Sequence, residues 1–400
     1  MRAFTSGRHG GGLCFKQYGP GGVSSLTGLN GEKISGGYVF LQNGESSTGQ
    51  WKTAVGSVFI TGGTPTGSID MATGSSTQLN QTFSATNVSS ADAYGRITFT
   101  CPAGSCGSVF YITNQKLGQG VFMATDSHNS GNDLFWGQLR QQNATNIAAA
   151  HPITGKFVMY ASGLDSSTPA NSKSSLLHGS GSSSAATFSI DASAENDYGT
   201  LTLNTDTGTV PYTVTSTTTG RLTFGKTGDV MYLYNTNEAV ALFADGGQNL
   251  VGWLETQVAP TSGTWAYSDL VGNYFMGDMY SPSALNGSGT NTGDLTVTST
   301  GALTPFAQDQ GSQNSADWDV GIAGGQGGGT YTGAIALDPT MDPSGAFGIY
   351  DINLTQGTTT STQVYCFAAS VNTATNSATY GRLICMDGSG SSAKITLVSQ

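Results

Sequence analysis

The five cysteines are the residues whose spacing speaks most directly to chemistry. Cys101 and Cys106 flank the turn Pro102-Ala103-Gly104-Ser105, while Cys366 and Cys385 sit on two apolar runs expected to lie antiparallel. Both spacings let Cβ atoms approach to bridging distance, so each pair is expected to be a disulfide, which favours an oxidising compartment. Buried free thiols are the alternative. Cys101 and Cys106 could also be half a zinc site, but no second Cys/His pair accompanies them. Cys14 is left over.

The remaining reactive types form no recurring constellation. His9, His128, His151 and His178 fall at dissimilar places, and none belongs to an H-E-x-x-H or Cys/His cluster. No G-x-S-x-G elbow stands in a strand-to-helix setting, and Gly179-Ser180-Gly181 reads as turn material. Gly324-Gly325-Gln326-Gly327-Gly328-Gly329 has the glycines of a phosphate loop but neither the lysine nor the following helix. Asp317-Trp318-Asp319 sets two carboxylates around an indole, as a glycosidase or sugar platform does, and equally as an exposed acidic strand edge does. Two oxygen-rich loops are calcium candidates, one from Asp126 to Asp133 and one holding Asp338 and Asp342, although neither has EF-hand spacing. No other cofactor is expected.

What does recur is a structural sentence. Leu242-Phe243-Ala244-Asp245 leads through a Gly/Asn turn to Leu250-Val251-Gly252-Trp253-Leu254-Glu255-Thr256-Gln257, the local chemistry of a β-hairpin. The same pattern runs from Asp126 to Gln142 and from Asp387 to Gln400, and a truncated copy, Gly12-Leu13-Cys14-Phe15-Lys16-Gln17, stands near the start. Each copy ends in glutamine, whose amide is expected to satisfy an exposed strand end or the next linker. Trp136, Trp253 and Trp265 are expected in the core or between units rather than stacking on ligand.

Further blocks keep the same order. Gly37-Tyr38-Val39-Phe40, Gly155-Lys156-Phe157-Val158 and Gly272-Asn273-Tyr274-Phe275 open the units, and Gly95-Arg96-Ile97-Thr98 matches Gly220-Arg221-Leu222-Thr223 in the middle. Aligned blocks in fixed order are the mark of duplication. The expected units are residues 32–147, 148–260 and 261–400, preceded by an orphan closing strand and linker over residues 1–31. The third unit carries inserted loops at 321–329 and 338–345.

Within the second unit, short β-branched or aromatic runs at 156–161, 184–190, 198–203, 210–215, 221–224, 230–234, 240–244 and 250–256 are separated by Gly/Asn/Asp/Ser turns. Their alternation predicts one buried and one wet face. No amphipathic helix is expected, the nearest attempt being Gln138 to Ala150. The predicted fold is all-β: three tandem, antiparallel, up-and-down units of lipocalin-like barrel type, with two-sheet sandwiches as the alternative.

Composition agrees with that fold. Charged residues are 10% of the chain, Gly numbers 58 and the apolar fraction is 37%, so cores can be buried beneath a Ser/Thr/Gly surface. A net charge of −11 with 14 Lys+Arg gives no basic footprint for nucleic acid. No run reaches the roughly 18–20 apolar residues of a spanning helix, so no membrane insertion is expected. Met1-Arg2-Ala3-Phe4 leads straight into Gly-rich polar sequence and does not read as a signal peptide. The composition looks exported, so either a leader is expected outside this sequence or its N-terminus is not the native one.

Gly37-Tyr38-Val39-Phe40, the two Gly-Arg-x-Thr blocks and Gly252-Trp253-Leu254-Glu255-Thr256-Gln257 together resemble a tandem β-repeat of secreted, largely uncharacterised surface proteins of acidobacterial type. The third unit departs from it, with Gly348-Ile349-Tyr350 where Gly-Arg-x-Thr is expected. The resemblance implies an exported multi-domain surface protein and supplies no catalytic residues.

The function expected is therefore a non-enzymatic extracellular structural protein, its units strung as beads in a surface layer, fibre or adhesive stalk. The rivals are a binding module holding a small ligand or glycan in barrels or loops, and a hydrolase using carboxylates of the third unit. Leu13, Cys14 and Phe15 are costly apolar residues to leave in water. They are expected to serve self-association into a homopolymer by strand addition, or to belong to a longer array.

Overall fold

The computed structural model of the chain describes residues 34–399 except 47, 49, 85–86, 101–106, 115–117, 125–132, 166–170, 246–247, 279–289, 312–328, 357–359, 371–380 and 388–394. It consists of three antiparallel up-and-down β-units, of which two are closed barrels.

The first comprises β1 (Gly36–Glu45), β2 (Trp51–Thr61), β3 (Thr64–Thr73), β4 (Ser76–Ser84), β5 (Asn87–Val88), β6 (Arg96–Thr100), β7 (Gly107–Asn114), β8 (Gln119–Ala124) and β9 (Leu134–Gln141). β1 pairs with both β2 and β9, giving the order β4-β3-β2-β1-β9-β8-β7-β6-β5. The two edges are consecutive in the chain, and Val88 N–H donates to Gly63 O at 2.9 Å, so the sheet rolls into an incompletely closed barrel.

A one-turn helix, α1 (Ala144–Ile147), leads to the second unit, β10 (Lys156–Asp165), β11 (Ser172–Gly181), β12 (Thr187–Asp197), β13 (Thr200–Leu203), β14 (Gly208–Ser216), β15 (Arg221–Phe224), β16 (Val230–Asn235), β17 (Glu238–Phe243) and β18 (Gln248–Thr256). Pairing of β11 with β12 closes it, and β13 is a short strand added along β12. The third unit, β19 (Gly272–Asp278), β20 (Thr290–Val297), β21 (Ala302–Gly311), β22 (Gly329–Leu337), β23 (Ile349–Gln356), β24 (Thr360–Ser370), β25 (Arg382–Asp387) and β26 (Ile395–Ser399), is a closed barrel. The pairing of first strand with last recurs in all three units, β1–β9, β10–β18 and β19–β26; with an unbroken ring of pairings around the other strands it closes the second and third into barrels rather than sandwiches.

Between Gln138 and Ala150 the helical part is the single turn α1, capped by Asn143 Oδ1, which accepts from the N–H groups of Thr145 and Asn146. One expectation needs correction. Gly179-Ser180-Gly181 is not a turn but the end of β11, a strand absent from the expected set. Its Ser/Gly composition hides it, yet the small residues are sterically required. A Cβ on Gly179 would lie 2.6 Å from the Phe157 ring and 2.3 Å from Ser189 O.

The barrels are filled. Phe157, Met159, Phe188, Leu222, Phe224 and Leu254 occupy the second, and Tyr274, Leu295, Val297, Tyr350, Ile352 and Leu383 the third. Side chains also pack outside them. One cluster joins Val39, Leu41 and Val55 of the first unit to Val158, Tyr232, Val240 and Trp253 of the second, and on to Ile349, Phe367 and Ile384 of the third. The units are thus packed flank to flank rather than strung as beads. The expected alternation consequently fails where flanks meet. β14 alternates, whereas β16 and β17 are buried on both faces and read as unbroken apolar runs.

Candidate functional site

The recurring glutamines lead to the joints between units. Gln142 follows β9, and its backbone N–H donates to Gly37 O of its own first strand at 2.8 Å. Its side chain turns to the next barrel, where Nε2 donates to Thr219 O at 2.8 Å and Leu233 O at 2.7 Å. The next residue, Asn143, donates its N–H to Tyr234 O at 2.8 Å.

Gln257 repeats the arrangement one unit later. Its N–H donates to Lys156 O at 2.9 Å, and Nε2 donates to Phe347 O at 2.7 Å and Ala368 O at 2.8 Å. Val258 N–H then donates to Ala369 O at 2.8 Å. Both amide protons of Gln257 are spent on carbonyls, so its Oε1, 3.1 Å from His178 Nε2, accepts, which places a proton on that ring nitrogen. His178 is fully buried, with Nδ1 3.3 Å from Asp191 Oδ2 and out of line for a hydrogen bond.

Each socket is shaped by a glycine with positive φ, Gly220 (+67°) or Gly348 (+73°), and closed by a side chain from the incoming linker. A Cβ on Gly220 would lie 3.3 Å from Ile147 Cβ, and one on Gly348 would lie 2.7 Å from the Trp265 indole. The third unit therefore keeps the glycine of the middle block although its arginine is replaced by Ile349.

The first joint adds a buried polar cluster. Asp70, fully buried on β3, accepts from Arg221 Nε and Nη2, both at 2.8 Å, and from Tyr232 Oη at 2.6 Å. Ser68 Oγ lies 3.1 Å from the same hydroxyl. The hydrogen bond to Asp70 raises the Arg221 pKa, and burial, followed by the Asp70 charge, raises that of Tyr232. Arg221 stood in a repeated block, but nothing in the sequence marked Asp70 as its partner.

Where the three units meet, a cleft of about 400 Å³ is lined by Arg140 of the first, Tyr234, Asn235, Glu238 and Glu255 of the second and Arg382 of the third, among others. Glu255 binds Arg382 Nη1 at 2.6 Å and accepts from Tyr160 Oη at 2.7 Å, while Arg140 lies 5.3 Å over the Trp253 ring. Burial, the largest single influence, would lower the Arg382 pKa, but Glu255, Tyr160 and Tyr234 together overcome it and the pKa is raised. Burial likewise raises Glu238, with Asn235 opposing and Glu255 adding to the rise. The cleft therefore gathers two carboxylates and two guanidiniums, of which Glu255 and Arg382 form an ion pair.

The other candidates have local roles. Cys366 and Cys385 are directly paired on β24 and β25 and form a disulfide. Asp338 Oδ1 accepts from the N–H groups of Thr340 and Met341. Asp342, fully buried, accepts from Ala346, Phe347, Gly348 and Ile349. These carboxylates shape the loop that carries the second socket. Asp245 binds Lys226 at 2.8 Å and Asp133 binds Lys52 at 2.5 Å. Among the described residues no three His, Cys, Asp or Glu side chains gather in a metal-binding group.

Trp253 and Trp265 are buried, and the Trp136 ring lies 6.1 Å from that of Trp51. Asp387 ends β25, and its backbone pairs with Val364. Leu13, Cys14, Phe15, Cys101, Cys106, Asp126, Gln400, His9, His128 and Asp317-Trp318-Asp319 lie outside the described residues.

No protein-family model and no curated protein matches the chain. Among solved structures it aligns with kievitone hydratase from Nectria haematococca at 10% identity, over 96% of this chain and 95% of that one, with a TM-score of 0.18. An overlap that poor supports no argument about fold or activity.

Proposed function

We propose that the chain is a non-enzymatic structural protein of the cell exterior, whose interlocked barrels self-associate into a surface layer, fibre or stalk. The observation that carries the reading is the joint itself. The same set of hydrogen bonds, made by a glutamine ending one barrel and the residue after it, fixes two successive pairs of units. Filled interiors and a cross-strand disulfide fit a part whose product is its shape, in an oxidising compartment. No described helix is long and apolar enough to cross a membrane.

Electron microscopy of the full chain at increasing concentration tests the proposal. Ordered filaments or sheets are expected, and dispersed single particles at every concentration would overturn it.

A second reading has one observation of its own, the cleft lined by Arg140, Glu238 and Glu255. Its hydrogen-bonding groups, beside the Tyr234 and Trp253 rings, suit a glycan better than an apolar ligand. Binding on a glycan array that is lost in Arg140→Ala would favour it.

A further inference from the structure

The cleft where the three units meet holds a cation that the protein itself does not match. Of its two guanidiniums, Arg382 is engaged. Its Nη1 binds Glu255 Oε2 at 2.6 Å and its Nη2 donates to Tyr160 Oη at 3.2 Å, while that hydroxyl donates to Glu255 Oε1 at 2.7 Å. Arg140 differs. Its guanidinium lies over the Trp253 ring, its Nε is buried without a hydrogen-bond partner, and no described carboxylate stands within ion-pair distance of it. A cation stacked on an indole is held in place without being neutralised, so its planar fork of donors is offered to whatever enters the cleft.

The second unit supplies the other unmatched group. Glu238 accepts from Asn235 Nδ2 at 3.0 Å and makes no ion pair among the described residues. Asn235 in turn accepts from Asn146 Nδ2 at 2.5 Å, so two amides hold Glu238 in place. The first unit adds the amides of Gln119 and Gln141, and no aliphatic side chain lines the cleft. Its volume of about 400 Å³ falls within the range of small-ligand sites.

A ligand that satisfies this set needs a carboxylate for Arg140 and hydroxyls for Glu238 and the glutamine amides. A peptide would find no pocket for apolar side chains, and a neutral sugar would cover the guanidinium without compensating its charge. We infer that the cleft binds oligosaccharides containing a uronic acid, the sugar carboxylate accepting from Nη1 and Nη2 of Arg140 and ring hydroxyls donating to Glu238. Glu255 does not repel the carboxylate strongly, because Arg382 already balances it. A chain of net charge −11 disfavours polyanions over the rest of its surface, so retention of an acidic glycan would report a local site. The inference rests on reading the cleft as a glycan site and adds the chemical class.

A glycan array carrying uronic acid oligosaccharides, their carboxyl-reduced counterparts and neutral glycans tests it on the full chain. Reduction removes the carboxylate and keeps the ring hydroxyls. The acidic forms are expected to bind about tenfold more tightly than the reduced ones. Arg140→Gln should erase that preference, and Arg140→Lys, which keeps the charge without the flat fork, should retain part of it. The comparison of acidic with reduced ligands on the unaltered protein decides the matter even if a variant fails to fold. Equal binding of the two overturns the inference and leaves the cleft a site for neutral glycans. A preference that survives in folded Arg140→Gln puts the site elsewhere and overturns it too. Absence of binding to every sugar on the array removes the glycan reading along with it.

Discussion

The two joints share a backbone and differ in what fills it. Val39 pairs with Ser57 in the first unit and Val158 with His178 in the second, and from those pairs Asp70 on β3 corresponds to Ala194 on β12. The residue after the socket glycine is Arg221 in one joint and Ile349 in the other. The residue before the socket carbonyl of β16 or β24 is Tyr232 in one and Phe367 in the other. The first joint thus holds a hydrogen-bonded Asp–Arg–Tyr cluster where the second holds Ala, Ile and Phe, all three buried in the shared core. Burying an ion pair costs desolvation that its attraction roughly repays, so the two solutions can serve one geometry at similar stability. What both joints keep is the glutamine, because backbone carbonyls buried at an interface need a donor whatever surrounds them.

Breaking the first joint on one side should have the largest effect. Arg221→Ala leaves Asp70 buried without its counter-charge and should cost about 3–5 kcal/mol in urea denaturation. A loss below about 1 kcal/mol would mean that the cluster is not sealed from water. Next come Gln142→Glu and Gln257→Glu, each expected to cost about 2–3 kcal/mol near neutral pH by facing a carboxylate with two carbonyls. The effect should be greater at Gln257, the more buried of the two. Equal insensitivity of both positions would remove what the joints have in common.

A pH titration sharpens the comparison once a contribution from neither joint is removed. Asp229 is raised to about 7, first by burial and further by Asp245, against the hydrogen bond from Ala244 N–H. A carboxyl raised in the folded state favours folding fully below its unfolded pKa, and that contribution is lost as pH rises from about 4 through 7. Asp229→Asn should therefore be more stable than the parent at pH 8 by about 1–3 kcal/mol and indistinguishable near pH 4, as read by thermal unfolding. A difference independent of pH would exclude ionisation as its cause. The smallest effect is expected from exchanging the whole cluster. Asp70→Ala, Arg221→Ile and Tyr232→Phe together convert the first joint to the chemistry of the second and should shift stability by no more than about 1–2 kcal/mol. A loss as large as that of Arg221→Ala alone would show that the two joints are not interchangeable.

Much of this was legible because strand chemistry is local. The β-branched and aromatic runs, the Gly/Asn turns and the repeated Asp-to-Gln hairpin report a meander of similar units directly, and the facing runs around Cys366 and Cys385 place those thiols opposite each other. The glutamines were legible as residues with a duty to backbone, though not as plugs for the next barrel. β11 was missed because Ser172–Gly181 lacks the residues that announce a strand, its place being set by the Phe157 ring and the strands beside it. Asp338 and Asp342, singled out in the sequence as oxygen ligands, accept backbone N–H groups, a role that shares its sequence signature with calcium binding.

By itself, then, the sequence determined that the chain is an all-β antiparallel meander of three barrel-like units and marked Gln142 and Gln257 as residues that serve backbone, since these depend on residues near one another along the chain. The packing of the barrels flank to flank, the meeting of Asp70 with Arg221 across 151 residues, and the cleft shared by Arg140, Glu255 and Arg382 were decided by tertiary structure alone. Burial on both faces of a strand, and the pairing of charges from different units, depend on which surfaces come together, and no local pattern encodes that.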